Sequence, residues 1–469
     1  MAAQHEPNER LRALLAEAHW TGQGLARAVN AVGAESGRRL RYTRASVAHW
    51  LAGVRPRPPV PELIAEAFSR RLGRPITVWA VGLDGPGNGP LCGAARWNVG
   101  PAVGTVGDPA AALAELGGAD ADPARRAALR DVVYTLAPPP GPLDPAPARR
   151  DTTGRLGRWW HAQIEAAAGV AQFFSAADAA FGGGHARSAL AAYLASDIAP
   201  RLHSAATPPL RRRMLSAAAN LTYLCGFMCF DDNMNGAAQR YYTIALRLAA
   251  EAGDRRMHGV VLRAMSVQAH HLGHHGHALR LAEAAVTGGS PAAGPTALAF
   301  LLGQLAVARA NVGDRDGALA DLRAAERRLD RLDRLDRLDW PDPASDVIGA
   351  CHRASLDHQR AETLAALGDR PGAIAALAAS LRHRPPTERR CRTITLARLA
   401  GLQLDHGHLE AAVETWHRFL DDYPYLRCGR ADTALATLRA RIRPFRDNAA
   451  ALGLWRRAAA IAAHPARDR

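Results

Sequence analysis

The chain has 469 residues, 48% of them hydrophobic and 22% charged, which is enough to bury more than one core. Its 59 basic residues exceed the 44 acidic ones by 15, and every basic residue is Arg, because Lys does not occur. That replacement reflects a compositional bias of the genome, so Arg richness by itself does not signify phosphate recognition, although the net charge favours a partner carrying negative charge, nucleic acid above all. No run of about 18 apolar residues and no charged-then-apolar leader is present, so no membrane association and a cytoplasmic location are expected. The six cysteines (Cys92, Cys225, Cys229, Cys351, Cys391, Cys428) are dispersed without a CxxC pair, which excludes a disulfide framework or a zinc ribbon and predicts reduced, mostly buried thiols.

Residues 1–84 carry twelve Arg against seven acidic residues, about twice the net charge per residue of the rest. They parse as five short helices. Asn8 caps the first (ERLRALLAEAHW), Thr21 stands ahead of the second (GQGLARAVNAV), and Thr43 caps the third (RASVAHWLAG), which Gly53 ends. Pro61 lies in the first turn of the fourth (ELIAEAFSRRLG), and Thr77 opens a short fifth segment. On the third helix, steps of 100° place Val47, Trp50 and Leu51 on one side, to seat it against its neighbours. The opposite side is Ala45, His49 and Ala52, flanked by Arg44, Ser46 and Ala48. A flat face of small residues with an Arg and a His suits close approach to base edges in a major groove. Thr43, Arg44, Arg55 and Arg57 are candidates for phosphate contacts, which position without reading sequence. A bundle with a merely solvated Ala/His face fits helix 3 equally well.

Gly and Pro dominate residues 82–109 and 138–147, which read as linkers, with one or two helices between them. Residues 85–150 are therefore expected to connect an N-terminal domain, 1–84, to a third region, 151–469. In that region Ala, Leu and Arg recur at helical spacing, and a turn residue followed five positions later by Ala repeats at Asp232/Ala237, Gly273/Ala278, Gly313/Ala318, Gly368/Ala373 and Gly407/Ala412. Gly permits the sharp turn and Ala the close approach of two antiparallel helices, so stacked pairs forming a solenoid follow. The three-residue repeat RLDRLDRLDRLD, 328–339, explains the one long spacing, as an extension of the preceding helix or a solvated, salt-bridged spur. After Pro424, two helical stretches without a turn signature would form a capping pair.

The stretch from Leu25-Ala26 through Ser46, Trp50-Leu51-Ala52-Gly53 and Pro56 to PELIAEAFSRRLGRPIT resembles the helix-turn-helix of XRE or lambda-repressor-type regulators. More closely, it is similar to an actinomycete family of regulators of differentiation and secondary metabolism that join this module to a degenerate tetratricopeptide-like (TPR-like) region. FGGGHARSALAAYLASDIAPRL, LSAAANLTYLCGFMCFDDNMNGAAQRYYTIALRLAAEAGD and QAHHLGHHGHALRLA are similar to segments of that family, and the resemblance covers about residues 8–83 and 151–420. The chain departs from the repressor pattern in GAESGRRLRY, 33–42, where a longer connection carries Arg38, Arg39 and Arg41; either helix 2 is extended or a basic loop meets the DNA backbone.

Other constellations are weaker. His270, His271, His274, His275 and His277 fall at an inter-helix turn with no adjacent carboxylate, so scaffold is preferred to metal. Cys225 and Cys229 read as small hydrophobes in a helical core. FGGGHAR, 181–187, lacks the features of a phosphate loop and is expected to be a turn with a buried Phe and His. Asp231, Asp232, Gln239, Arg240 and Tyr241 are polar enough to line a ligand surface. No catalytic signature emerges, so the expectation is a non-enzyme without cofactor or metal. It is an all-α chain with an N-terminal helix-turn-helix bundle and a TPR-like α-solenoid, binding double-stranded DNA through Arg41, Thr43, Arg44, Ala45, Ser46, Ala48, His49, Arg55 and Arg57. The solenoid would serve a homodimer, a protein or peptide partner, or a small-molecule effector. The alternative is an interaction scaffold or peptide receptor that does not bind DNA.

Overall fold

The computed structural model describes residues 6–83, 108–136, 157–203, 207–289, 294–336 and 352–463. These are predominantly helical, with turns and irregular segments between the helices and no strand among the described residues. They form two compact units. The first takes the described residues of 1–107, 122–141 and 233–240, and the second those of 108–121, 142–232 and 241–469.

The first unit begins with α1 (Glu9–Glu17), α2 (Gly22–Glu35), α3 (Arg44–Leu51) and α4 (Val60–Leu72). The expected caps are present: the Asn8 side-chain oxygen Oδ1 accepts from Leu11 N at 3.0 Å and the Thr21 hydroxyl from Gly24 N at 3.1 Å. The expected fifth helix is instead a run of turns over 78–82, held where the Thr77 hydroxyl accepts from Ala80 N. Leu11, Leu25, Val29, Val47, Leu63, Ile64 and Phe68, none of them exposed, make the centre of one core. Arg70 closes the unit's polar side. Its guanidinium donates to both Glu35 oxygens at 2.6 and 2.8 Å, to Glu66 at 2.7 Å and to the Tyr134 carbonyl at 3.0 Å. Burial pushes the Glu66 carboxyl up from its ordinary value although Arg70 pulls it down. The connector thus splits: α5 (Pro109–Ala121) belongs to the second unit, whereas α6 (Pro123–Arg130) and residues 131–136 belong to the first.

The second unit continues with α7 (Gly157–Phe181), α8 (Gly183–Tyr193), a π-helical turn (Leu194–Ile198), α9 (Ala199–Leu202) and α10 (Pro208–Asp231). After α11 (Asn235–Ala252), which starts among residues of the first unit, four antiparallel pairs follow: α12 (Arg255–His271) with α13 (His275–Gly289), α14 (Pro295–Asn311) with α15 (Arg315–Asp336), α16 (Arg353–Ala366) with α17 (Arg370–His383), and α18 (Arg389–Asp405) with α19 (Leu409–Asp422). Each of these pairs turns on a glycine at φ between 83° and 87°: Gly273, Gly313, Gly368 and Gly407. At all four, the glycine N–H and the next N–H reach back to helix carbonyls, as in Gly313 to Ala310 and Asp314 to Arg309. This is a Schellman closure, which requires a left-handed residue at the glycine position. Ala278, Ala318, Ala373 and Ala412 are fully buried, as the close-approach argument requires. Between α10 and α11 the left-handed residue is Asn233 rather than Asp232. α20 (Gly429–Ile442) and α21 (Ala449–Ala463) share a core with α18 and α19 through Trp416, Phe419, Leu438 and Leu454.

The structure departs from two expectations at these turns. Phe181 is exposed and stacks on an exposed His185 at 4.8 Å, so the FGGG turn buries neither ring; the buried member is Arg187. The glycines are there for backbone contact: a Cβ on Gly183 would lie 2.5 Å from the Met228 carbonyl, and Gly184 N donates to the Arg427 carbonyl. Nor is the polar group at 231–241 a ligand surface, since Asp231 and Tyr241 are wholly buried in the second unit and Gln239 exchanges hydrogen bonds with the Thr135 backbone in the first. Of the RLD repeat, the helix continues to Asp336 with Leu329 buried beside Leu322 and Leu356; the remainder lies outside the described residues.

The histidines of the α12–α13 turn do not converge on one point: among the described residues they form no group of ligand atoms close enough to share a metal. His277 is buried, and burial followed by the Arg280 and His274 charges pushes its pKa down to about 4. In the unfolded chain it would titrate near the ordinary value of about 6.5, so the unfolded state binds the extra proton first and the stabilisation is lost as pH falls from about 6.5 towards 4. His277→Gln, compared with the wild type by thermal denaturation, should therefore show a wild-type advantage that shrinks steadily across that window. An advantage independent of pH would mean that His277 titrates alike in both states.

Candidate nucleic-acid interface

Helix α3 is fixed on its inner side and at both ends. Val47 is wholly buried and Trp50 is 4% exposed, with the Trp50 ring edge-on to Tyr42 at 5.1 Å. At the N-terminus the Ser46 hydroxyl accepts from Thr43 N at 3.3 Å, and Arg44 N donates to the Gln23 side chain of α2 at 3.3 Å. At the C-terminus Gly53, at φ 94°, closes a Schellman turn in which Gly53 N reaches the Trp50 carbonyl and Val54 N the His49 carbonyl. The sequence left open whether helix 2 extends into the longer connection. It does, to Glu35, and the remaining loop is tied down by Asn30, whose amide accepts from Tyr42 N and donates to the Tyr42 carbonyl, both at 3.0 Å.

With the inner side occupied, the outer side faces solvent. Thr43, Arg44, Ala45, Ala48, His49 and Ala52 are exposed, Ser46 is half-buried, and Arg41, Arg55 and Arg57 are exposed on the segments that flank the helix. The structure thus places the nine sequence-selected residues on one continuous stretch, Arg41 to Arg57. An open depression of about 490 Å³ lies beside the helix, lined by Arg38, Ser46, His49, Arg55 and Arg57 among others, with no carboxylate in its wall. Arg38 is ion-paired to Asp131. Among the described residues no carboxylate forms a salt bridge with Arg41, Arg44, Arg55 or Arg57. Exposed guanidinium groups beside a neutral, small-residue helix face can take phosphate oxygens at the rim while the helix approaches a groove.

Sequence reasoning missed Asn30 and Gln23, which set where α3 begins. Their signal is faint, since either could be any polar residue on an exposed turn of α2. A family model described as the SP15 N-terminal domain matches residues 11–84, from within α1 to the turns after α4. No curated protein matches the chain.

Because Trp50 anchors the helix, Trp50→Ala should cost about 3–5 kcal/mol of local stability. Hydrogen–deuterium exchange on the full chain should show protection lost across α3, while His49→Ala, whose ring is exposed, leaves protection unchanged. Equal protection in wild type and Trp50→Ala would refute the anchoring role.

Proposed function

We propose that the chain is a sequence-specific DNA-binding transcriptional regulator, in which α3 enters the major groove and the helical-repeat unit serves homodimerisation and the binding of a protein, peptide or small-molecule effector. The observation that carries the reading is the outward face of α3, small and free of carboxylates, beside a depression rimmed by Arg38, Arg55 and Arg57. It agrees with the resemblance of this module to XRE-type helix-turn-helix regulators and with the net charge of +15. Arg44, His49, Ser46, Ala45 and Ala48 would face base edges, with Ala methyl groups suited to a thymine methyl. Arg41, Thr43, Arg55 and Arg57 would hold phosphates. Two copies on two half-sites raise a modest single-module affinity through effective concentration, which is the reason to expect a dimer.

No helix among the described residues is long and apolar enough to cross a membrane. A mobility-shift screen with genomic fragments, followed by anisotropy titrations at several salt concentrations, tests the proposal. Arg44→Ala and His49→Ala should weaken the selected site by about 1–3 kcal/mol and leave non-specific binding nearly intact. Arg55→Ala should weaken every sequence alike and flatten the salt slope by about one unit. Wild-type binding by both base-face variants would remove α3 from the interface, and no shifted fragment at all would favour a repeat scaffold instead.

A further inference from the structure

At the centre of the second unit, three side chains with metal-ligand chemistry meet where no solvent reaches. Cys225 and Cys229 are one turn apart on α10, which puts both sulfurs on one helix face. Asp120, next to last in α5, meets them there, and the Cys Sγ and carboxylate oxygen atoms all lie within 4.8 Å of one another. All three residues have zero exposure, as does Tyr241 of α11. The two carboxylate oxygens of Asp120 have different surroundings. Oδ1 is ion-paired to Arg187 of α8, whereas Oδ2 accepts from Cys229 Sγ at 3.9 Å and from the Tyr241 hydroxyl at 3.3 Å.

We propose that Asp120 Oδ2, Cys225 Sγ and Cys229 Sγ bind one structural zinc ion, with the Tyr241 hydroxyl as the fourth ligand. A tetrahedral zinc with bonds of about 2.3 Å to sulfur and 2.0–2.2 Å to oxygen places neighbouring ligand atoms roughly 3.3–3.8 Å apart. The observed 3.9 Å from Cys229 to Asp120 is close to that, so small side-chain adjustments complete the shell. Two sulfurs with two oxygens suit zinc, while magnesium and calcium demand more oxygen ligands than this site holds.

Charge balance favours a divalent ion. Without metal, the Asp120 carboxylate and the Arg187 guanidinium cancel beside two neutral thiols. With Zn²⁺, two thiol protons leave, and two thiolates, one carboxylate, one guanidinium and the ion again sum to zero, the phenol staying neutral. A monovalent copper ion with the same two thiolates would leave one net negative charge among fully buried side chains, which is strongly disfavoured. Arg187 then acts as the outer partner that orients the liganding carboxylate, as hydrogen-bonded outer groups do around metal sites. Its side chain also reaches Asp232 at 3.6 Å, so its position is set independently of the metal. Zinc held in this way would join α5 to α10 and α11 within the unit and add its binding energy to folding.

The test uses the full chain, produced with zinc in the medium and purified without chelator. Metal analysis should find close to one zinc per chain in the wild type and in Cys391→Ser, and almost none in Cys225→Ser/Cys229→Ser. Refolding the wild type with one equivalent of Co²⁺ should give a thiolate-to-cobalt charge-transfer band in the near ultraviolet together with the visible bands of tetrahedral cobalt. This readout stands even where the double serine variant fails to fold, and Asp120→Asn should retain the sulfur band with altered visible bands. A wild-type protein free of zinc that gives no sulfur–cobalt band overturns the proposal. So does a folded double variant that still holds one zinc, because the metal would then lie elsewhere, the α12–α13 histidines included.

Discussion

An eight-residue helix has no independent existence in water, so everything α3 can do depends on what grips it. Val47 and Trp50 supply the apolar hold, and the Thr43–Ser46 and Gly53 closures satisfy the backbone groups at its two ends. The consequence is geometric. Once Trp50 is committed inward, 3.6 residues per turn leave Ala45, Ala48, His49 and Ala52 no choice but to face outward. The same small residues that make the outer face flat also contribute little to holding the helix, so its fixity comes almost entirely from the opposite side and from α2 through Gln23 and Asn30.

The second unit solves a different problem by repetition. Each helix pair exposes an apolar face that a single hairpin cannot cover, and stacking pairs covers it. The turns between paired helices reuse one backbone solution, a left-handed glycine that returns two N–H groups to the helix just ended, followed at Asp314 and Asp369 by a carboxylate that caps the next helix. Where the pattern lacks glycine, between α10 and α11, asparagine takes the left-handed position, which it tolerates better than other residues with a Cβ.

That unit also buries charge in places where a repeat protein ordinarily carries hydrocarbon. Arg390 pairs with Asp178 at 2.9 Å and lies 3.6 Å from Asp231, and all three are nearly or wholly inaccessible. Burial pushes the Asp178 carboxyl up to about 6 while Arg390 pulls it down, a direct sign of the desolvation cost of such a pair. Removing one member would leave an uncompensated charge, so these pairs fix which helices meet more than they add to net stability. The Arg187–Asp120 pair belongs to the same class.

How much was legible in the sequence depended on how local the cause was. Caps at Asn8, Thr21 and Thr43, the turns at Gly273, Gly313, Gly368 and Gly407, the inward commitment of Trp50 and the all-helical class each follow from short-range chemistry, in which periodicity, a hydroxyl or amide at a helix start, or a residue without Cβ acts within a few positions. Sequence by itself thus determined the helices, their repeat and the outward face of α3. Only the tertiary structure decided what distant residues do to each other. It shortened the fifth N-terminal helix to turns, exposed Phe181 and His185, buried Arg187, turned Asp231 and Tyr241 inward, and brought Asp120 to Cys225 and Cys229. The reason is physical: burial and pairing of polar groups depend on which neighbour occupies the adjoining space, and no local pattern of spacing records that neighbour.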